Sequence, residues 1–537
     1  MDPRDERTPL LQQRARSGSD TDSDTISDPP ADVLIDSETG AQSPANTTRK
    51  AAIIISLFVI IVFVFDLGNA FFQAPIVRIY EDIICRKYYD IHQPELHPAG
   101  KAIPEDQCKI PPVQQELALI RGMEPVFDAI PGLLVAIPLG MIADNPKIGR
   151  KPVIIAALLG SMCQITWVVI VARFPDIFPL RLVWLGSIFL LAGGTNMING
   201  LIASTFFTLQ LVGSWLPVLI APPITSSLME HAGNWVPASM GLILDFLGFL
   251  VLLFLPETIH FQESESQTTP VDQAEQRNRP ATVESDTQSE TVSTASTSTS
   301  QKLWSGFKSK MLEFAESSSF VFQSPHLIIL ICSLMMHAIC LIRGMETLLY
   351  YASVRYGITI AKANLLNTVN AAVSIGVLFF LPFVSSYLTN KLGFSPQRKD
   401  LLIAQVSVTL FGIGWYTVGL APTLPISIAG LVIYTLGSGF SGSVRSLAAS
   451  YVQSHHQARL SSFIAIMMTV GNFVGSPMLA WLYSLGVSTG NPFWYGLPFV
   501  GLGVVFTIIG SALWFVVKLP EQGEPIIADE VEDEPTL

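Results

Sequence analysis

Long apolar runs alternate with short polar breaks along this 537-residue chain. Crossing the ~30 Å hydrocarbon layer takes about 20 consecutive apolar residues in a helix. Runs of that length occupy 51–72, 115–143, 152–172, 182–204, 207–230 and 236–256. A polar stretch follows, and then come 326–350, 364–388, 401–421, 425–449, 459–485 and 493–517. The pattern predicts an all-α integral membrane protein with twelve transmembrane helices in two groups of six. It divides the chain into a disordered cytosolic tail (1–50), an N-terminal six-helix bundle (51–256) and a cytosolic linker (257–325). A C-terminal six-helix bundle (326–518) and an acidic cytosolic tail (519–537) complete it. Inside the linker, residues 262–300 are too polar to bury a core. Leu303, Trp304, Phe307, Met311 and Phe314 then recur at helical spacing opposite Lys302, Lys308 and Lys310. That spacing predicts an amphipathic surface helix over about 302–316, or else an upstream extension of the seventh span.

Composition supports the membrane class and removes one misreading. Half the residues are apolar and 14% are charged, against roughly a quarter charged in an average soluble protein. The net charge of −12 sits in the two tails and the linker, which together carry −16 and leave the rest near +4. The acidity therefore says nothing about a cationic substrate. Basic residues in short loops set orientation. Arg49, Lys50, Lys147, Arg150, Lys151, Lys391, Arg398, Lys399, Arg459 and Lys518 share one side if both termini are cytosolic. Arg173 and Arg181 oppose that assignment. No cleavable leader is expected ahead of the first span.

The run from Gly140 to Pro152 is an abrupt charged turn between two apolar spans. It resembles the G-x-x-x-D-x-x-G-R-[RK] signature between the second and third helices of major facilitator superfamily transporters. Gly140, Asp144, Gly149, Arg150 and Lys151 match it, with a residue or two inserted in the middle. Ser386 to Gly393, followed by Arg398-Lys399, stands where the turn would recur in a second half. Pro256-Glu257-Thr258, the stretch Pro75 to Cys85 and the stretch Tyr351 to Gly357 resemble a fungal multidrug and secondary-metabolite branch. The resemblance covers 51–256 and 326–518. It implies two pseudo-symmetric six-helix bundles with a substrate site near the midplane between them. It also implies that the Gly140–Lys151 turn gates the cytosolic side. One departure stands out: from Ser204 to Pro222 the first half is about ten residues shorter than its counterpart, Ser450 to Pro477, and lacks the usual charged loop.

Ionisable residues within spans are expensive and mark candidate sites. Asp66 is a candidate proton or substrate group, or a helix-end residue near the headgroups. Arg121, Glu124 and Asp128 fall at i, i+3 and i+7 on one face of the second span. They read as a polar relay, or as an Arg121–Glu124 pair at the span's end. Asp245 sits midway along the sixth span. Arg343 and Glu346 repeat the i, i+3 pattern in the seventh. The hexapeptide Leu-Ile-Arg-Gly-Met-Glu occurs at both 119–124 and 341–346, but those spans are not repeat equivalents, and the match reads as coincidence. Arg445 in the tenth span reads as a cavity group or a cytosolic-end anchor. Asn196, beside Gly193 and Gly194, can line a cavity or only pack. Cys85 and Cys108 share the non-cytosolic segment between spans one and two, where an oxidising compartment favours a disulfide. Glu6, Leu10 and Leu11 match the [DE]-x-x-x-L-[LI] sorting signal read by adaptor complexes.

These features point to a secondary active transporter of a small organic solute, coupled to protons and serving efflux or vacuolar sequestration of a drug or secondary metabolite. The alternatives are a non-transporting sensor or adaptor on the same fold and a nutrient importer. No enzymatic activity, cofactor, metal site or nucleic-acid partner is expected. The expected partners are the bilayer, a small-molecule substrate, protons and sorting adaptors, and the chain is expected to act as a monomer. The tail signal favours a vacuolar or endosomal membrane, with the plasma membrane or another organelle as alternative.

Overall fold

The computed structural model describes residues 44–93, 103–143, 150–193, 195–253, 320–453 and 457–519. The sorting signal (Glu6, Leu10, Leu11), the turn residues Asp144 and Gly149 and the linker helix expected at 302–316 lie outside them. The same holds for nearly all of the acidic tail.

The first six spans are Pro44–His92, Pro111–Ala143, Arg150–Arg173, Leu180–Ala192, Thr195–Ala232 and Trp235–Leu253. The seventh to ninth are Pro325–Tyr356, Ile360–Asn390 and Pro396–Leu420. The tenth to twelfth are Leu424–Ala449, Gln457–Ser488 and Pro492–Phe515. Nine helices among the described residues are long and apolar enough to cross a bilayer. In hydrocarbon every backbone polar group must be satisfied within its own segment, which is why the chain reads as helix after helix.

Span boundaries differ from the hydropathy reading at two places. The first helix does not stop near residue 72 but continues through Pro75 to His92. It is far longer than the roughly 20 residues that a crossing takes. The second difference resolves the short stretch in the first half. Hydropathy places spans four and five at 182–204 and 207–230, but the chain turns at Gly193 instead. Leu180–Ala192 forms a thirteen-residue 3₁₀ helix, and the fifth span then runs unbroken for 38 residues. The turn needs glycine, because Gly193 has φ +106 and a Cβ there would lie 2.8 Å from that of Ala157.

The second span packs along the eleventh and the fifth along the eighth, which join the two halves. One apolar core is continuous across them, from Tyr80 and Leu117 through Leu330 and Tyr351 to Trp415 and Phe499. Spans one and six cross at van der Waals limits. A Cβ on Gly241 would lie 2.7 Å from the Gly68 carbonyl, so the crossing tolerates no side chain. At the far end of the second half, Tyr451 donates to the carbonyl of Lys518. Burial pushes this hydroxyl up to about 12, which keeps it a donor.

Candidate functional site

The second span presents Arg121, Glu124 and Asp128 on one face, as their spacing requires. The structure fills in what that face meets. Arg121 pairs with Glu124 one turn on. Tyr80 Oη, from the first span, donates to Glu124 Oε1 at 2.9 Å. Arg121 also reaches across to the second half, where Nη2 lies 3.4 Å from Glu346 Oε1. Glu346 Oε2 in turn accepts from Arg343 Nη1 at 2.7 Å. The result is a chain of two arginines and two glutamates with no net charge, bridging the halves at membrane depth. Buried ions are tolerable only when paired in this way.

The two Leu-Ile-Arg-Gly-Met-Glu segments, whose match read as coincidence, meet through their Arg–Glu pairs. Each copy supplies one Arg–Glu pair, and the bridge is built from both. The seventh span delivers its pair through a local widening, a π-helical turn at Cys340–Gly344 that carries Arg343. Single π turns of this kind often sit at functional sites. Between the pairs, Arg121, Arg343, Glu346, Thr347, Tyr350 and Ser476 enclose a space no larger than a water molecule. The halves are thus in contact here rather than parted by a cavity.

Asp128 belongs to a second cluster. Its Oδ1 accepts from Gln164 Nε2 at 2.6 Å and from Ser187 Oγ at 2.5 Å. It is held by spans three and four, one turn beyond the bridge. Asp245 is 1% exposed, and neither carboxylate oxygen has a hydrogen-bond partner among the described residues. It packs on Gly68 and lies within repulsive range of Asp66, which bonds the Ser214 hydroxyl. Arg445 Nη2 donates to the sulfur of Met468 at 3.0 Å. Asn196 lies in the first turn of the fifth span.

Part of the gate motif is described. Gly140 lies in the last turn of the second span and Arg150 opens the third. Lys151 Nζ donates to the carbonyl of Leu253, the last residue of the sixth span, at 3.1 Å. A cation there meets the negative end of a helix dipole.

At the opposite end, Cys85 and Cys108 form a disulfide with Cα atoms 5.4 Å apart. It fastens a compact ionic knot. Glu81, fully buried, accepts from Lys109 at 2.8 Å, Gln114 at 2.6 Å and Arg78 at 3.2 Å. Glu105 pairs with Lys109 at 2.9 Å and Arg78 at 3.2 Å. Glu105 also accepts from the backbone N–H of Ile360, the first residue of the eighth span, at 2.8 Å. A carboxylate on a helix N-terminus is favourable, and this one ties the halves together. Gln115 donates to the Ser484 carbonyl at 3.2 Å nearby, another tie between halves. Arg78 and Glu81 fall in the Pro75–Cys85 stretch that carries the resemblance, but none of Arg78, Glu81, Glu105, Lys109 or Gln114 was marked as a site residue, because each lies outside the apolar runs.

Two bundles joined along paired helices, with paired charge buried at their junction, are the architecture of one large transporter family. Residues 126–476 match the model of the Major Facilitator Superfamily. The chain belongs to that superfamily. It is 30% identical over 509 residues to the MFS efflux pump atnC of Emericella nidulans, covering 91% of this chain and 93% of the relative. It is 29% identical over 495 residues to the MFS-type transporter aprT of Aspergillus flavus, covering 90% and 91%. The crystal structure of a D-xylose-proton symporter shares the fold, with a TM-score of 0.53, 13% identity and coverage of 87% of this chain and 98% of that one. The protein is a multi-pass membrane transporter of small molecules and not an enzyme.

Proposed function

We propose that this superfamily member exports a small organic solute by alternating access, energised by a proton gradient. The observation that carries the reading is the Arg121–Glu346 bridge between halves, with Glu105 on the N-terminus of the eighth span beyond it. Both contacts lie toward the end that bears the disulfide. If that end faces away from the cytosol, as the basic loops suggest, the structure is closed on the outside. Parting the halves there requires Glu346 to leave Arg121, so the bridge is the group a coupling proton can release. The Asp66–Asp245 pair offers a second proton site, since an uncompensated carboxylate at membrane depth is costly and a bound proton removes that cost. The Gly140–Lys151 turn is the counterpart gate on the cytosolic side, with Asp144 as its anchor. Export is favoured over import because the relatives atnC and ustT are named efflux pumps. Delivery to a vacuolar or endosomal membrane rests on Glu6, Leu10 and Leu11 and on adaptors that read them.

The test is dye retention. Yeast lacking its own drug pumps and expressing this chain should hold less rhodamine 6G than control cells, and a protonophore should erase the difference. Equal retention across a panel of such dyes, in cells with the protein in the membrane, would sink the export reading.

A further inference from the structure

A cavity of about 440 Å³ lies along the seam between the second and fourth spans. Its shape follows from the 3₁₀ geometry of the fourth span. In a 3₁₀ helix side chains three apart eclipse one another, so every third residue falls in a straight row. Leu182, Leu185, Ile188 and Leu191 form one row on the cavity wall, and Arg181, Trp184 and Ser187 form the next. Phe127, Ile130, Pro131 and Leu134 of the second span face them. The Phe127 and Trp184 rings stack with centroids 5.2 Å apart. An α-helix would turn part of each row away from the seam.

Trp184 Nε1 donates to the Ile120 carbonyl at 3.2 Å, and Arg181, at one end of the wall, gives two of its five N–H donors to Glu116 at 2.9 and 3.0 Å. The Ser187 hydroxyl spends its proton on Asp128, which leaves its lone pairs. Phe127 and Leu134 each stand four residues before a proline, Pro131 and Pro138. A proline has no N–H to return to the carbonyl four residues back, so two backbone acceptors on this wall are released from the helix ladder. Acceptors left unmet at membrane depth are costly. The groove is therefore apolar and aromatic on one side, with the Ser187 lone pairs as acceptors away from the Arg181 end.

We propose that this groove binds the solute that the protein exports, and that the solute class is a lipophilic ring-bearing molecule carrying a hydroxyl or N–H donor. Its volume falls within the range of small-molecule pockets. The apolar body lies between the leucine row and the Phe127–Trp184 pair. The donor meets Ser187 or a released carbonyl, one hydrogen bond away from Asp128 and hence beside the bridge. The inference rests on the export reading for the word "exported" and on the groove alone for the chemistry.

The experiment uses the full chain in lipid nanodiscs with two photoprobes, 4-hydroxybenzophenone and its O-methyl ether 4-methoxybenzophenone. They are nearly the same size and differ in one donor. After irradiation, labelled peptides are mapped by mass spectrometry. The hydroxy probe should label segments 127–134 and 181–191 roughly twofold to tenfold more than the ether, the value of one net hydrogen bond. Ile188→Trp and, separately, Leu185→Trp should fill the groove and remove that labelling while the melting profile is kept. Ser187→Ala should narrow the preference between probes without changing labelling by the ether. Equal labelling by both probes would mean a groove for lipid tails and would overturn the proposal. So would labelling that persists in both tryptophan variants. No gradient is involved, so export can fail while labelling holds, and labelling can fail while export holds.

Discussion

The fourth and tenth spans occupy equivalent places in the two halves and are built differently. The tenth has 26 residues: α-helix to Leu436, a single 3₁₀ turn at Gly437–Gly439, and α-helix again to Ala449. The fourth has thirteen residues, all 3₁₀. At about 2.0 Å per residue they reach ~26 Å, where an α-helix of that length would reach ~20 Å. Stretching thus recovers part of the reach that missing residues would have supplied, and the chain turns at once into the fifth span. The tenth span has no such need and leads into a connecting stretch before the eleventh. Chain length therefore chose the helix type, and the helix type created the groove.

The halves also differ in how they hold buried charge, and the largest expected effect tests this. Arg121 compensates two glutamates. Arg121→Leu leaves Glu124 with Tyr80 alone and Glu346 with Arg343 alone, one buried negative charge uncompensated, and should cost about 3–5 kcal/mol, read as a lowered unfolding midpoint in detergent. Arg445 in the tenth span donates to the Met468 sulfur, and its Nε is unpaired among the described residues. Arg445→Leu should fall within about 1 kcal/mol of the parent, because no carboxylate loses a partner. Equal losses in both variants would show that the bridge adds nothing beyond burial.

A second contrast lies in the connections. Spans seven and eight are joined by three residues, Gly357 to Thr359, whereas spans one and two are joined by a longer segment stapled by Cys85–Cys108. Closing a loop of 23 residues should stabilise by about 3 kcal/mol through the unfolded state. Cys85→Ser with Cys108→Ser should lower the midpoint accordingly. Reductant should shift the parent and leave the double variant unmoved.

The turn that ends the fourth span comes next in size. Gly193→Ala forces a side chain into φ +106 and against Ala157, and should cost about 1–3 kcal/mol. Gly442 in the tenth span has open space around it. Gly442→Ala should be neutral or gain up to about 1 kcal/mol from helix propensity. The readout is the same midpoint for both variants.

Much of this architecture could be read from hydropathy, because a membrane span must be apolar for about 20 residues and the chain obeys that at nearly every span. The fourth span escaped because hydropathy counts residues and carries no rise per residue. An apolar run from 182 to 204 looks the same whether it crosses once or turns at Gly193. The Arg121–Glu124 and Arg343–Glu346 pairs were visible as i, i+3 spacings. Their meeting was not, since it depends on how spans two and seven approach. The repeated hexapeptide was the available signal, set aside because the spans are not repeat equivalents. The Glu81–Glu105 knot was marked only indirectly, by the Pro75–Cys85 stretch and the cysteine pair beside it, since charged residues outside spans are ordinarily solvated.

The smallest effect asks what braces a thirteen-residue 3₁₀ helix, a length far beyond the usual three or four residues. Trp167 of the third span donates its Nε1–H to the Leu182 carbonyl at 2.9 Å, and its ring lies against Gly186. The indole therefore holds the fourth span from outside its own ladder, at the first turn and again one turn on. Trp167→Phe keeps most of the ring and removes the donor, so the expected loss is one net hydrogen bond, about 1 kcal/mol. Global unfolding would barely register it. Amide exchange would, because local opening of 180–192 should quicken roughly twofold to tenfold. The α-helical stretch 424–436 of the tenth span serves as the internal control and should exchange at the parent rate. Acceleration of both spans together would mean that the tryptophan supports the whole bundle, and no change in either would mean that the 3₁₀ ladder stands without it.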